Sequence, residues 1–550
     1  MRTIERRIGL LFAGFLFCFL VIAVRAFWLQ GVQGAKLASQ AASQQTEVIT
    51  VPSLRGSILD RYGNSLVASE DAETIYATPY QVKDPPRTAE KLARVLGLGS
   101  AQVLRGLTAH SGFSYIAHQV PVPTAARVTR LKLPGIGELP DSRRTYPQGK
   151  LAAQALGSVG TEGEGLTGLE MGKESALHGT DGERRIVKDA LGEPIRLETV
   201  REASDGQSIR LTLDPTIEKK TEEVLAEVGE TYSPKGATAI VMDPRNSQVL
   251  AMANWPPIDP TNLSHASPED LMNRATGFTY EPGSTFKAFT VSAALEEGAV
   301  TAATPFTIPP ALQVSDRTIE DAEEHGTETL TVAEILAKSS NIGAVEIGLK
   351  LGATIYSKWV KRFGFGRPTG VQFPGEERGI VPALSEYSGS TMGNLPMGQG
   401  LSVTPMQMIA GYAAIANGGI LRRPQLIEKV GDQPVHEPRG RRVITPVVAS
   451  EVRTMLEGVL APGGTASEVS VPGYTLAGKT GTAQVAENGT YSETKYVASF
   501  IGFAPAQNPR LLVAVIVDQP QGEIYGGAVA APAFGRIAAF ALPYLGVPHE

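Results

Sequence analysis

Cysteine is almost absent: Cys18 stands alone in 550 residues. A disulfide framework within the chain is thereby excluded, and so is a cysteine-built metal cluster. Histidine is scarce as well. The seven run from His110 to His549 with no His-x-x-x-His pair, so neither a metal site nor a cofactor is expected. A basic excess is missing too: 50 Lys and Arg stand against 56 Asp and Glu, for a net charge of −6. Binding a phosphate backbone calls for a clear positive surplus, so no nucleic-acid partner is expected. What the chain does have is 42% hydrophobic residues, enough for buried cores. Its 59 glycines and 38 prolines point to an ordered, loop-rich protein of several domains.

Charge is also missing from Ile8 to Val24, a run dense in Leu, Phe and Ile. It extends through Arg25 to Trp28 and Leu29, because an arginine near a helix end snorkels and tryptophan favours the interface. The result is long enough for a membrane-spanning helix. Arg2, Arg6 and Arg7 precede it, which places the N-terminus in the cytoplasm and everything after about Gln30 outside. A cleaved signal peptide has a shorter apolar core, and Ala38-Ser39-Gln40-Ala41 makes a poor cleavage site, so the reading is an uncleaved single-pass anchor in the cell (inner) membrane.

After the anchor, Asp60 to Asn64 reads as a turn between short strands. The pattern then stays mixed to about Arg210, with one helix-like stretch near Ala89–Leu96. Asp214-Pro215 opens a helix by cap and first-turn proline; Thr216 to Val228 is its amphipathic body and the link to a second domain. That domain begins with a hairpin, Ala237–Met242 and Val249–Ala253. It ends with strands Tyr496–Ala504 and Leu511–Asp518 and a helix near Ala531–Leu542. Thr404-Pro405 and Thr445-Pro446 announce helices between, and Asn417-Gly418 stops the first. Strands at both ends with helices between predict an α+β fold: one antiparallel sheet covered by a helical subdomain.

Three stretches carry chemistry. In Glu281-Pro282-Gly283-Ser284-Thr285-Phe286-Lys287, a helix starting near Gly283 or Ser284 puts Ser284 and Lys287 on one face. Lys287 can then act as base for the serine if burial beside Phe286 and Phe289, with a second cation nearby, strips its proton. The pattern alone is weak, since Ser492-Glu493-Thr494-Lys495 repeats it; that copy reads as a solvated loop. The second stretch is Ser339-Ser340-Asn341, inside a helical run from about Thr331 to Leu351. Serine and asparagine are poor there, so they mark either a helix break or polar groups with a task. The third is Lys479-Thr480-Gly481-Thr482, on an edge strand where glycine lets a ligand approach the backbone. Gly473 to Thr480 also matches a phosphate-binding loop letter for letter. Its bulky, strand-like spacers, the following Gly481 and the extracytoplasmic location argue against a nucleotide site.

Ser-x-x-Lys, Ser-x-Asn and Lys-Thr-Gly in this order are the signatures of penicillin-binding proteins and class A β-lactamases. The chain resembles a class B penicillin-binding protein, a monofunctional peptidoglycan D,D-transpeptidase, over nearly its whole length. Arg55 to Gly63, Arg144-Thr-Tyr-Pro147 and Gly168-Leu-Glu170 resemble the family's non-catalytic boxes. Met397 to Pro405 resembles the loop and helix before the Lys-Thr-Gly strand. Asn273-Arg274-Ala275 followed by Tyr280 to Lys287 looks more like the division-associated members than the elongation ones. The expectation is a pedestal with no glycosyltransferase domain before it and a catalytic domain with no repeat module after it. The implied organisation is a cytoplasmic tail and anchor over 1–30, an elongated mixed α/β pedestal over 31–225, and a β-lactamase-like transpeptidase domain over 226–550.

The resemblance implies Ser284 as nucleophile, Lys287 as base, Ser339 as proton relay, and Asn341 and Lys479 as further catalytic groups. It implies Ser340, Thr480, Gly481 and Thr482 as substrate-binding residues, and the amides of Ser284 and Thr482 as oxyanion hole. Stem peptides ending in D-Ala-D-Ala would be donors, a neighbouring stem's amine the acceptor, and β-lactams the trapping ligands. Expected partners are a membrane glycan polymerase of the shape, elongation, division and sporulation family and other division proteins. A carboxypeptidase or β-lactamase, a β-lactam sensor and a catalytically silent scaffold are the rival readings.

Overall fold

The computed structural model describes residues 2–36, 46–188, 194–436, 439–487 and 489–550. The Ala38–Ala41 segment weighed as a cleavage site lies outside them. The chain divides into two compact units. One gathers Met1–Leu54, Asp71–Ser142 and Gly179–Gly206; the other gathers Arg55–Glu70, Arg143–His178 and Gln207–Glu550.

In the first unit, helix Arg2–Phe27 carries the uncharged run. The span Ile4–Val32 has 29 residues, mean hydropathy 2.5 and no buried surface. At about 1.5 Å per residue that exceeds the roughly 30 Å of a hydrocarbon core. Thr46–Val51, Gly182–Lys188 and Pro194–Arg201 form an antiparallel sheet of three strands. A small α/β body packs Ile75, Leu92, Val103, Leu107 and Val128 into one core. Its helix Pro85–Leu96 starts where Asp84 caps the Arg87 amide and stops at left-handed Gly97. Two further helices, Ser100–Leu107 and Val122–Arg130, were not read from the sequence. Both are short and start without a side-chain cap, so tertiary packing defines them.

In the second unit, helix Pro215–Tyr232 begins as expected: the Asp214 carboxylate accepts from the Thr216 and Ile217 amides. The central sheet is antiparallel, in the order Gln248–Trp255, Gly236–Asp243, Leu511–Asp518, Thr490–Ala504, Ala477–Glu487. Strand Leu511–Asp518 is buried at every position, which is why it reads as an unbroken apolar run. Helices Pro215–Tyr232 and Gly526–Tyr544 cover one face with an apolar core of their own. The helical subdomain covers the other face, its core running through Phe286, Phe289, Ile342 and Tyr412. Gly526–Tyr544 is long and apolar enough to cross a membrane, yet 61% of it is buried in the protein; it is a core helix. Ser492–Lys495 is a correction: it lies in strand Thr490–Ala504, not a loop. It is solvated as expected, and Lys495 pairs with Glu487 at 2.6 Å on that hairpin.

Candidate active site

The Ser284 segment is held from both sides. Tyr280 and Val403 exchange backbone hydrogen bonds of 3.0 and 2.9 Å, and the Gly283 amide donates to the Gly398 carbonyl at 3.0 Å. Gly398 is left-handed, at φ 88°, and a Cβ there would collide with the Gly283 carbonyl. A tight turn, Gly283–Phe286, then feeds helix Lys287–Glu296. From below, Tyr412 donates to the Thr285 carbonyl at 2.7 Å. Phe286 packs on Phe289 and Phe365, with ring centroids 5.2 and 4.9 Å away.

Lys287 is fully buried. Its Nζ donates to the Ser339 carbonyl at 2.5 Å, to Asn341 Oδ1 at 2.7 Å and to Ser339 Oγ at 3.3 Å. Burial pulls its pKa down to about 7, against the opposing pull of Asp321. The expected contact with Ser284 is not made here. The two residues share a turn, but the amine is drawn to Ser339 and Asn341. The Ser284 hydroxyl has no hydrogen-bond partner among the described residues.

The Thr331–Leu351 run is two helices rather than one. Val332–Lys338 ends at Ser339, left-handed at φ 66°, and Ser340 caps Asn341–Leu351 by accepting from the Gly343 amide. Asp321, which carried no signal in the sequence, governs this break. It accepts from the Ser340 hydroxyl at 2.7 Å and from the amides of Asn341 and Ile342. His325 Nε2 lies 3.1 Å from the same carboxylate. Asn341 is oriented because its Nδ2 donates to the Glu320 carbonyl at 2.9 Å, which leaves Oδ1 for Lys287. Ser340, expected to bind substrate, is buried, with its hydroxyl committed to this cap.

Asp321→Asn keeps the shape but makes the remaining bonds neutral and gives up one of the two accepting atoms, since an amide nitrogen only donates, a loss of about 1–2 kcal/mol. The expected result is a lower thermal unfolding midpoint. The carboxylate is also the opposing pull on Lys287, so the titration midpoint of that amine, read by NMR of labelled lysine, falls as well. A lower unfolding midpoint with an unmoved amine titration would leave Asp321 a purely structural cap.

Lys479 comes from the edge strand Ala477–Glu487, its register fixed by Lys479 opposite Ile501. It is fully buried. Burial and the nearby Lys287 amine hold it well below the usual lysine range. The second cation thus bears chiefly on Lys479, not on Lys287 as anticipated. Thr480 Oγ1 lies 3.3 Å from Lys479 Nζ and 2.7 Å from Thr465 Oγ1. Thr482 Oγ1 accepts from the Gly526 amide at 3.1 Å. Gly481 lets the strand lie against the serine turn: a Cβ there would sit 2.9 Å from Thr285 Cγ2 and 3.0 Å from the Pro282 carbonyl. Glu281 was also missed. It ties the turn to the loop and hairpin around it, accepting from the Gly400 amide and the Tyr491 hydroxyl, each at 3.1 Å.

The three far-separated stretches therefore meet. Residues 339–341 hold the Lys287 amine, and the 477–487 strand lies on the Pro282–Thr285 turn. A hydroxyl, an amine that sheds its proton near neutrality and a strand edge rich in hydroxyls suit acyl transfer.

The model for the penicillin binding protein transpeptidase domain matches residues 237–539, and that for the penicillin-binding protein dimerisation domain matches residues 50–211. The chain is 34% identical to stage V sporulation protein D of Bacillus subtilis, over 99% of this chain and 86% of that protein. It is 33% identical to peptidoglycan D,D-transpeptidase FtsI of Escherichia coli, over 97% and 91%. Penicillin-binding protein 3 of Mycobacterium tuberculosis, solved with aztreonam, superposes with a TM-score of 0.72 at 30% identity, over 91% of this chain and 98% of that one. With both domains of the family present and the Ser-x-x-Lys, Ser-x-Asn and Lys-Thr-Gly elements gathered in one place, the chain belongs to the class B penicillin-binding proteins, the family of peptidoglycan D,D-transpeptidases.

Proposed function

We propose that this protein cross-links stem peptides in septal wall synthesis through a Ser284 acyl-enzyme, from a single-pass anchor whose N-terminus is cytoplasmic. The observation that carries the reading is the fully buried Lys287 amine, one turn from a free serine hydroxyl and pinned by Ser339 and Asn341.

Ser284 Oγ attacks the carbonyl between the two terminal D-alanines, and its proton passes to neutral Lys287. The oxyanion is met by the amides of Ser284 and Thr482. Ser339, whose Oγ lies 3.3 Å from the amine, carries that proton on to the leaving D-alanine nitrogen. The C–N bond breaks and an ester remains. A neighbouring stem's amine then attacks the ester, an amide forms, and Ser284 Oγ recovers a proton. Thr480, Thr482 and Lys479 receive the terminal carboxylate. That anion would restore the charge of an amine whose proton is otherwise disfavoured by burial and by Lys287. Asn341 holds the donor's amide, and Ser340 supports the site through its cap. A β-lactam enters by the same first step, its ring nitrogen taking the place of the leaving amine. A membrane glycan polymerase and other division proteins are the partners this reading assigns.

The test is labelling of the full chain in detergent with a fluorescent penicillin, followed by peptide mapping. The adduct is expected on the peptide holding Glu281 to Lys287 and persists for hours. Release within minutes would make the protein a hydrolase, and an adduct on another peptide would overturn the nucleophile.

A further inference from the structure

The reaction above leaves a second concave site on the same unit unused. A cavity of about 240 Å³ lies beside Phe363, Ala410 and Leu421, and five arginines line it: Arg367, Arg422, Arg423, Arg439 and Arg441. Among the described residues, no aspartate or glutamate lines it. Among the described residues, none of the five is in an ion pair. In a chain of net charge −6, such a concentration of one sign is not a by-product of composition.

Like charges act on Arg441 within this cluster. Arg441 is held below the ordinary arginine range by burial and by the charges of Arg367 and Arg362. Main chain anchors two of the five: Arg367 donates to the Lys361 carbonyl at 3.0 Å and Arg441 to the Arg362 carbonyl. The carboxylate of the adjoining loop, Glu376, is committed to the amides of Thr369 and Gly370, at 2.7 and 2.9 Å. Among the described residues the cluster thus has no counter-charge in its lining, and two of its members, Arg367 and Arg441, are held by main chain.

Two features select the ligand. The volume falls below the roughly 300–1,000 Å³ of drug-sized pockets, so the bound group is compact. A single carboxylate engages one planar fork, whereas phosphate oxygens engage several. We propose that this cavity binds a compact, multiply charged phosphate group of about pyrophosphate size, independently of the Ser284 chemistry.

The experiment uses the full chain in detergent and calorimetric titration with inorganic pyrophosphate and with sulfate. Pyrophosphate is expected to bind at least tenfold tighter than sulfate. Arg367→Gln with Arg441→Gln weakens it at least tenfold, and Arg367→Lys with Arg441→Lys restores only part, because an ammonium lacks the fork. Penicillin labelling at the wild-type rate confirms that these variants are folded. Micelles doped with phosphatidic acid separate the two sources of the group. Displacement of pyrophosphate by doped but not plain micelles assigns a lipid headgroup; no displacement assigns a free anion. Either result stands with the site. Equal affinity for pyrophosphate and sulfate, or unchanged affinity in the glutamine variant, overturns it. If the variants do not fold, phenylglyoxal modification of the wild type decides. Pyrophosphate protects the five arginines if the site exists, and unprotected arginines refute it.

Discussion

Lys287→Met slows acylation by penicillin by about 10²–10⁴-fold, the range of a positioned general base. The methionine fills the space but cannot take the Ser284 proton. Lys287→Arg does not recover the rate, since a guanidinium stays charged and accepts nothing. The wild-type pH profile gives the same test by another route. Burial lowers the amine to about pH 7. Below that value it is protonated and no base; above it the neutral form dominates. The acylation rate constant therefore rises with pH, is half-maximal near 7 and then levels. In Lys287→Met that rise is lost. The variant also leaves the Ser339 carbonyl and Asn341 Oδ1 without their buried donor, a cost of about 1–3 kcal/mol each. Thermal unfolding recorded beside the kinetics separates slow chemistry from lost fold. A methionine variant within tenfold of wild type, or a wild-type profile flat across neutrality, would remove Lys287 from the base role.

Local signals account for most of what the sequence disclosed. Asp214-Pro215, Thr404-Pro405 and Thr445-Pro446 each place a cap and a proline within a few residues, and each starts a helix. The terminal strand pairs were legible because burial on both sheet faces leaves continuous apolar runs. Lys479 was legible as part of an edge strand for another reason, the apolar alternation of Tyr474–Ala477 just before it. The break at Ser339 was legible as one of two alternatives, from serine and asparagine inside a helical run; the carboxylate that organises it, Asp321, was not, because it lies 18 positions earlier in a segment without periodicity. Nor was the detachment of Lys287 from Ser284. Helix spacing fixes which face a side chain leaves from, not which of several acceptors its end will choose. The arginine cavity was invisible for a stricter reason: its members are spread from Arg367 to Arg441 and share no element. The three box motifs Arg55, Arg144 and Glu170 were recognised only as resemblances, with no physical task attached; the structure supplies one.

Glu170 is fully buried between Arg55 and Arg144, which are 7% and 3% exposed. One carboxylate oxygen accepts from Arg55 Nε at 2.5 Å and the other from Arg144 Nε at 2.7 Å. Main chain takes up further donors, Arg55 on the Glu170 and Gly163 carbonyls and Arg144 on those of Arg55 and Gly56, while Glu174 accepts from Arg55 and the Ser69 hydroxyl from Arg144. Burial and the like charge of Arg55 pull Arg144 down, and Glu170 opposes them. Glu170→Gln leaves two buried cations face to face with no charge between them. The expected cost is about 3–5 kcal/mol, the scale for breaking one partner out of a buried ion cluster. It is read as a lower urea midpoint for the transition that reports this unit. Glu174, which also pairs with Arg55 but is 39% exposed, should cost far less on the same change, because solvent replaces much of what is lost. The folded fraction of Glu170→Gln still acylates at the wild-type rate constant, since no residue of the cluster touches Ser284 or Lys287. Replacing Arg55, Arg144 and Glu170 together by apolar residues recovers part of the lost stability, because desolvating three charges is itself costly. A Glu170→Gln protein as stable as the wild type would mean that water already screens this cluster, and that its burial here is not the source of its strength.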